Sequence, residues 1–382
     1  MNKTLSDAFS LLRFPMALMV VMIHSNPYLI SYHGQRITMD QIWFDKVTLF
    51  FSHSFPAVAV PLFFIISGYL FFSRVDDKFC ANDYTSKIKK RAKSLLLPYM
   101  VWNTLYLFIE NFKSLPFLKS VFPNSEAKNF SEILSAYGFT PPHTLNNSAW
   151  FWLKTYDPAD TPLWFVRDLM VMALLSFLIF YILRNRKIGM TVIIVLSITW
   201  AIGVLPQSLF PGCSVVSLLF FSTGAYLAIH KIDIVSLLQL FKINILIAWI
   251  LTLISSVFTT RYGSDLDYEK TIVVYNLSII AGCGSLLVIA ADMVHQFPLF
   301  QEKRFFAIMS QSTFVIFALH FLFIPILQKI SVVMMSSTSS IQQWQGLIIY
   351  IVVPTISIGL CVLTNTFISK YKTLKLFFTG GR

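Results

Sequence analysis

Charged residues are scarce in this sequence: they make up 13% of its 382 positions, about half the share of a soluble domain. Hydrophobic residues make up 56%, and the mean hydropathy is +0.68. Mostly apolar stretches of about 17 to 25 residues recur along the chain, and each is long enough to cross a bilayer as a helix. The shortage of charge excludes a soluble domain and predicts an all-α, polytopic membrane helix bundle.

Cysteine is also scarce, with four residues and no CxxC pair. Cys213, Cys283 and Cys361 lie in or beside apolar stretches, and Cys80 lies in a basic loop. This pattern indicates neither a zinc site nor a disulfide framework. We expect buried thiols of apolar character and no metal centre.

The chain is predicted to form one transmembrane domain, residues 1-382, with about ten helices. The predicted spans are 9-30, 48-73, 94-112, 163-183, 189-206, 213-230, 243-259, 271-291, 305-328 and 345-368. The first span is not expected to be a cleaved signal peptide, because it is long, contains Arg13 and His24, and is followed by no small-residue cleavage site.

The basic residues predict the orientation of these spans. With the N-terminus inside, the inner loops and termini, together with Arg13 near the inner end of the first span, carry 20 of the 30 Lys and Arg residues. The positive-inside rule therefore places both termini in the cytoplasm of a multi-pass protein of the inner (plasma) membrane. This bias accounts for the net charge of +12, so the lipid bilayer is an expected partner and nucleic acid is not.

One long loop, residues 113-162, is predicted on the outer side. It contains Pro116, Pro123, Pro141 and Pro142 among polar residues and ends near the aromatic run Trp150-Phe151-Trp152. Such a loop fits a lid or a platform for sugar, and it equally fits an aromatic belt at the membrane interface.

The first span carries two ionisable residues, Arg13 and His24, which are eleven residues apart. Eleven residues are about three helical turns and about 16 Å, so both side chains point to the same side of the helix. An ionisable side chain this deep in a membrane is costly and indicates a functional role. The alternative is a histidine that is hydrogen-bonded to a neighbouring helix.

Ser67-Gly68 in the second span allows a ligand or another backbone to approach closely. No GxSxG elbow surrounds Ser67, so a nucleophilic role is not expected. The loop before the third span has five cations within seven residues: Lys87, Lys89, Lys90, Arg91 and Lys93. Such a cluster suits the phosphates of a cytoplasmic cofactor or the heads of anionic lipids, although topology alone would place some of these charges there.

The fourth span opens with Trp164, Arg167 and Asp168, and the ninth contains His320. Arg167 and Asp168 are charges that enter the membrane from the outer side. They either pair with other helices as structural pins or line a pocket for an acceptor. His320 has the same two readings as His24.

Taken in order along the chain, these residues resemble the acyltransferase-3 family of integral membrane acyltransferases. The resemblance is carried by Arg13 and His24, VPLFFIISGYLFF at 60-72, the basic stretch before Leu97-Pro98-Tyr99, LWFVRDL at 163-169, Gly224, and Phe314 to His320. Three positions depart from the family pattern: Ser10 replaces an Asp, Ser94 replaces a second Arg, and Phe317 replaces a Tyr.

The resemblance implies transfer of an acyl group, most often acetyl, from cytoplasmic acetyl-CoA or another short acyl-CoA to a sugar hydroxyl. The acceptor would be a surface glycan or a lipid-linked saccharide. His24 would be the catalytic base and Arg13 an essential partner. Lys89, Lys90, Arg91 and Lys93 would bind the donor, and substrate contacts are expected from Ser67, Trp164, Arg167, Asp168 and His320.

Two other classes fit a polytopic chain. One is a transporter or flippase of a sugar or glycolipid, although no internal repeat of the kind common in transporters is evident. The other is a non-catalytic subunit of a polysaccharide synthase complex.

Overall fold

The computed structural model describes residues 3–26, 31–32, 35–36, 42–75, 79–115, 135–138, 157–259, 268–297, 304–335 and 343–381. Within these ranges the chain is helical apart from four strands of two or three residues. The strands form two small antiparallel pairs, β1 (Ser31–Tyr32) with β2 (Gln35–Arg36) and β3 (Ser208–Phe210) with β4 (Cys213–Ser214). The predicted all-α fold class is confirmed.

The helices are given by their bounds in chain order. The first half contains α1 (Lys3–His24), α2 (Ile42–Thr48), α3 (Ala59–Phe72), α4 (Ala81–Arg91), α5 (Leu97–Lys113), α6 (Trp164–Leu174), α7 (Ser176–Leu183) and α8 (Arg186–Ala201). The second half contains α9 (Val215–Ile229), α10 (Ile234–Leu240), α11 (Lys242–Thr259), α12 (Tyr268–Gln296), α13 (Arg304–Met335), α14 (Gln343–Lys370) and α15 (Lys372–Thr379). Short π-helical or 3₁₀ turns precede α3, α5 and α6: Leu49–Ser54, Pro56–Val58, Ala92–Leu96 and Thr161–Leu163.

Within the described ranges, six continuous helical segments are long and apolar enough to cross a membrane. They are Thr4–His24, Trp43–Phe72, Lys242–Thr259, Thr271–Gln296, Phe305–Met334 and Trp344–Lys370. Two bent pairs raise the number to eight: α6 with α7, bent by 62°, and α9 with α10, bent by 103°. The predicted spans 94-112 and 189-206 correspond to α5 and α8, which have 17 and 16 residues. The total of ten crossings and the side of the termini stay predictions.

Two sequence features differ from expectation or lie beyond the described residues. The first helix begins at Lys3 and ends at His24, whereas the predicted span was 9-30, so His24 lies at the end of a helix. Most of the predicted outer loop, including Trp150-Phe151-Trp152, lies outside the residues that the structure describes.

Glycine sets the most extensive helix–helix contact, which is between α3 and α9. A Cβ atom at Gly68 would overlap the carbonyl oxygen of Phe221, and one at Gly224 would overlap the carbonyl oxygen of Ile65. The two backbones therefore touch directly, as at small-residue crossings in membranes. This crossing fixes the wall of the bundle from which Phe63 and Ser67 project.

Replacing Gly224 with valine is expected to destabilise the purified protein by about 1–3 kcal/mol, because two backbones in contact have no room for the added atoms. The midpoint of thermal unfolding in detergent would measure the loss. Gly359 in α14 is the matched control, since a Cβ there has no neighbour within 4 Å. Equal destabilisation by Gly224→Val and Gly359→Val would contradict this account of the crossing.

Candidate functional site

His24 lies at the mouth of a cavity of about 500 Å³, which we call the His24 cavity. The C-terminal end of α1 is anchored by side chains from other elements, because the last carbonyls of a helix lack partners within it. The Ser52 hydroxyl donates to the Met22 carbonyl at 2.6 Å, and the Gln328 amide donates to the Ser25 carbonyl at 3.4 Å. His24 is thereby held at a fixed place on the cavity wall, half-buried.

His320 packs against His24. The centroids of the two rings are 5.2 Å apart, and the Phe321 ring lies at the same distance from His24. His320 is fully buried, and its Nδ1 is 2.7 Å from the Ile316 carbonyl oxygen. A carbonyl only accepts, so Nδ1 carries the proton and Nε2 is left with a lone pair. That Nε2 has no hydrogen-bond partner among the described residues.

The remaining wall of the His24 cavity combines aromatic rings with hydrogen-bonding groups. Trp164, Trp200 and Tyr275 supply rings, and Asp157 and Asn276 supply polar groups. Asn276 is oriented by donating to the Trp200 carbonyl at 2.9 Å. Aromatic faces beside a few oriented polar groups suit a ligand that is polar at its edges and apolar on its face, such as a sugar.

Arg167 and Asp168 form a buried ion pair, with Arg167 Nη2 2.8 Å from Asp168 Oδ1. Arg167 also donates to the Gly138 carbonyl at 2.8 Å, and Asp168 Oδ2 accepts from the Ser214 N–H at 3.0 Å. The pair thus joins α6 to the β4 strand and to residues 135–138. Arg167 still lines the His24 cavity, whereas Asp168 does not, so Asp168 acts as a structural pin.

A second cavity, the Arg13 cavity, has a volume of about 370 Å³. Arg13 and Arg91 line it together with Ser67, Thr313 and Gln311. None of the residues that line this cavity is acidic, and Arg13 forms no ion pair with any described residue. The cavity is therefore positively charged and rich in hydrogen-bonding groups, which suits an anionic or carbonyl-bearing ligand.

Three phenylalanine rings pack together where the His24 cavity and the Arg13 cavity adjoin. Phe165 lines both, while Phe63 and Phe317 line the Arg13 cavity. The Phe165 centroid lies 4.8 Å from that of Phe317 and 6.0 Å from that of Phe63, and Phe63 and Phe317 are 5.2 Å apart. We call these three rings the aromatic partition.

A third cavity, the lysine cavity, has a volume of about 710 Å³. Lys90 and Lys93 line one part of it, and Lys372 and Lys375 from α15 line another. Ser94 lines both this cavity and the Arg13 cavity, so the two adjoin at that residue.

The structure divides the basic segment that the sequence presents as one cluster. Arg91 lines the Arg13 cavity, Lys90 and Lys93 line the lysine cavity, and Lys89 is exposed and lines neither. Lys87 donates to the Phe71 carbonyl at 2.6 Å, and Lys87 and Arg91 both lie over the Phe71 ring. Burial lowers the pKa of Arg91, and burial followed by the nearby Arg91 charge lowers the pKa of Lys87.

Most of the site residues chosen from the sequence thus line one of these cavities or contact a residue that does. His24, Trp164 and Arg167 line the His24 cavity with His320 behind it, and Arg13, Ser67 and Arg91 line the Arg13 cavity. Sequence reasoning did not single out Lys372, Lys375 or the aromatic partition. A basic C-terminal helix was a visible signal for the lysines, whereas three phenylalanines among 37 carried none.

Comparison with known proteins identifies a family whose model matches this chain. Residues 7–366 match the model of the family described as "Acyltransferase domain" (Acyl_transf_3). The chain is also similar to the succinoglycan biosynthesis protein ExoH of Rhizobium meliloti (strain 1021), with 27% identity over 241 residues. That alignment covers 61% of this chain and 57% of the relative, so less than two thirds of the relative is spanned. A search of solved structures found no significant match.

Proposed function

The chain belongs to the acyltransferase domain family, and from this premise we propose that it is an O-acyltransferase of a cell-surface glycan in the inner membrane. It moves an acyl group, which we expect to be acetyl, from cytoplasmic acyl-CoA to a sugar hydroxyl. The similarity to a protein named for succinoglycan biosynthesis supports a glycan as the acceptor. The bias of basic residues supports the assignment of the Arg13 cavity to the cytoplasmic side.

The observation that carries the proposal is the pair of chemically different cavities that share Phe165. The Arg13 cavity offers two guanidinium groups and no acid, as a donor with phosphates and a thioester carbonyl requires. The His24 cavity offers aromatic rings, polar groups and a histidine, as a sugar hydroxyl that must lose a proton requires. Each substrate therefore has a cavity of its own, and the acyl carbon meets the hydroxyl near the aromatic partition.

The proposed reaction uses His24 as a general base. The acceptor oxygen attacks the thioester carbonyl carbon while neutral His24 takes the hydroxyl proton. The new C–O bond forms, the C–S bond breaks, and the proton passes from His24 to the departing thiolate to give the free thiol. Atoms and charge balance without a metal or a redox step.

His320 and Arg13 support this step in different ways. The Nε2 lone pair of His320 can accept a hydrogen bond from the N–H of one His24 nitrogen, which would leave the lone pair of the other nitrogen for the acceptor hydroxyl. Arg13 stabilises the negative charge that develops on the thioester oxygen or holds a donor oxygen in place. His320 is thus a positioning residue, and Arg13 acts on the donor.

The aromatic partition keeps water away from the thioester until the acceptor arrives. Replacing Phe317 with alanine is expected to raise the rate of donor hydrolysis severalfold in the absence of acceptor, because it opens a path between the cavities. Release of free thiol from acetyl-CoA would measure this rate. Phe72→Ala, which removes a fully buried ring outside both cavities, is the control and should hydrolyse donor at the wild-type rate. Equal hydrolysis in the two variants would contradict the role of the partition.

Binding and turnover of acetyl-CoA by the purified protein test the proposed function. We expect saturable binding, and release of thiol that is accelerated by glycan lipids extracted from cells that express the chain. A transporter would also present two cavities separated by a closed partition. If the folded wild type bound no short acyl-CoA, the transporter reading would replace the acyltransferase.

A further inference from the structure

The lysine cavity has the charge of an anion site. Lys90, Lys93, Lys372 and Lys375 line it, and no acidic residue of the described part of the chain does. Four like charges around one cavity repel one another, and an anion bound between them would remove that repulsion. The cavity volume of about 710 Å³ is in the range of sites that hold nucleotide-sized ligands.

The C-terminal helix α15 is fixed in place, so Lys372 and Lys375 are built into the site. The Trp102 Nε1–H donates to the Phe378 carbonyl at 2.9 Å, and the two rings are 5.1 Å apart. Gly380 ends the helix at φ 68°, in the left-handed region that favours glycine. A Cβ there would overlap the backbone of Ser94, so Gly380 lets the two chain segments touch. The helix therefore holds its two lysines in the wall that Lys90 and Lys93 also form.

Helix α15 begins at Lys372, beyond the end of the family match at residue 366. Half of the charge around this cavity thus comes from a part of the chain that the family model does not include. The cavity is a feature that the family assignment does not account for.

The neighbouring cavity identifies the anion. Ser94 lines both the lysine cavity and the Arg13 cavity, so the two adjoin there, and a ligand whose phosphate-bearing head lies in the first would have its slender tail directed to the second. We propose that the lysine cavity binds the phosphate groups of the acyl donor and that α15 supplies half of the cations. The identity of the donor rests on the proposed function, whereas the anion site itself does not. A lipid headgroup has the same phosphate chemistry, but a lipid tail would not need the polar, arginine-lined cavity beyond Ser94.

The double variant Lys372→Gln/Lys375→Gln tests the assignment against the control Lys187→Gln/Lys370→Gln. The control removes the same charge from two exposed lysines that line none of the three cavities. We expect acetyl-CoA and adenosine 3′,5′-bisphosphate to bind about tenfold more weakly to the first variant and normally to the control. Turnover of S-acetyl-N-acetylcysteamine, a thioester without phosphate, should be unchanged in both. Melting temperatures would verify that all proteins are folded.

The other outcomes each decide the question. Unchanged acetyl-CoA affinity in the double variant would overturn the donor assignment. Normal donor binding with lost binding to phosphatidylglycerol vesicles would assign the cavity to a lipid headgroup and would also overturn it. If wild type bound adenosine 3′,5′-bisphosphate through these lysines but did not turn over any acetyl thioester, the anion site would stand and the proposed function would fail.

Discussion

Replacing His24 with alanine is expected to lower the rate of acyl transfer at least a hundredfold, with little change in donor affinity. A positioned base contributes about 10²–10⁴ to such a reaction, and His24 is the histidine that lines the proposed acceptor cavity. Donor affinity should survive because the Arg13 cavity does not include His24. Labelled acetyl incorporated into glycan, together with acetyl-CoA binding by the purified variant, would separate the two quantities.

His24→Gln and His320→Gln sharpen this result. Glutamine at position 24 keeps a hydrogen-bonding side chain but cannot take a proton, so it should be as inactive as alanine. His320→Gln should retain more activity than either and shift the pH profile, because His320 acts through His24. Full transfer by folded His24→Gln protein would show that His24 is not the base.

Replacing Arg13 with glutamine is expected to lower kcat/KM for the donor by about a hundredfold, since it removes one of the two guanidinium groups that can make charge-assisted contacts in this cavity. Arg13→Lys should recover part of this loss, because it restores the charge but not the planar fork of donors. Steady-state kinetics with acetyl-CoA would measure both.

Arg186→Gln is the matched control for Arg13, because Arg186 is exposed and lines none of the three cavities. It should leave kcat/KM unchanged. Wild-type kinetics in folded Arg13→Gln protein would show that the donor does not bind in the Arg13 cavity. The donor site of this family member would then have to be sought elsewhere.

Much of the fold could be predicted from the sequence because the bilayer imposes length and polarity on each span. Helices overlap all ten predicted spans. The α6–α7 bend lies within one predicted span, and the α9–α10 bend follows the end of another. The bends themselves could not be predicted, since no proline or glycine marks the breaks at residue 175 and at residues 230–233.

The site was predicted less completely, and the first helix shows why. Arg13 and His24 were placed on one side of the helix by their spacing, and both line cavities. Spacing could not show that Phe165, from a distant helix, lies between those cavities. The basic segment shows the same limit, because the docking of α15 decides which lysines share a cavity.

In the proposed reaction, an acyl group passes from a donor on the cytoplasmic side to a glycan on the other side of the membrane. Sealed membrane vesicles from cells that express the chain, given acetyl-labelled acetyl-CoA from outside, would show whether it does. Inside-out vesicles should label their glycan, and right-side-out vesicles should not until they are permeabilised; vesicles with His24→Ala should stay unlabelled in every form. Labelling of intact right-side-out vesicles alone, or equal labelling by wild type and His24→Ala, would contradict the account.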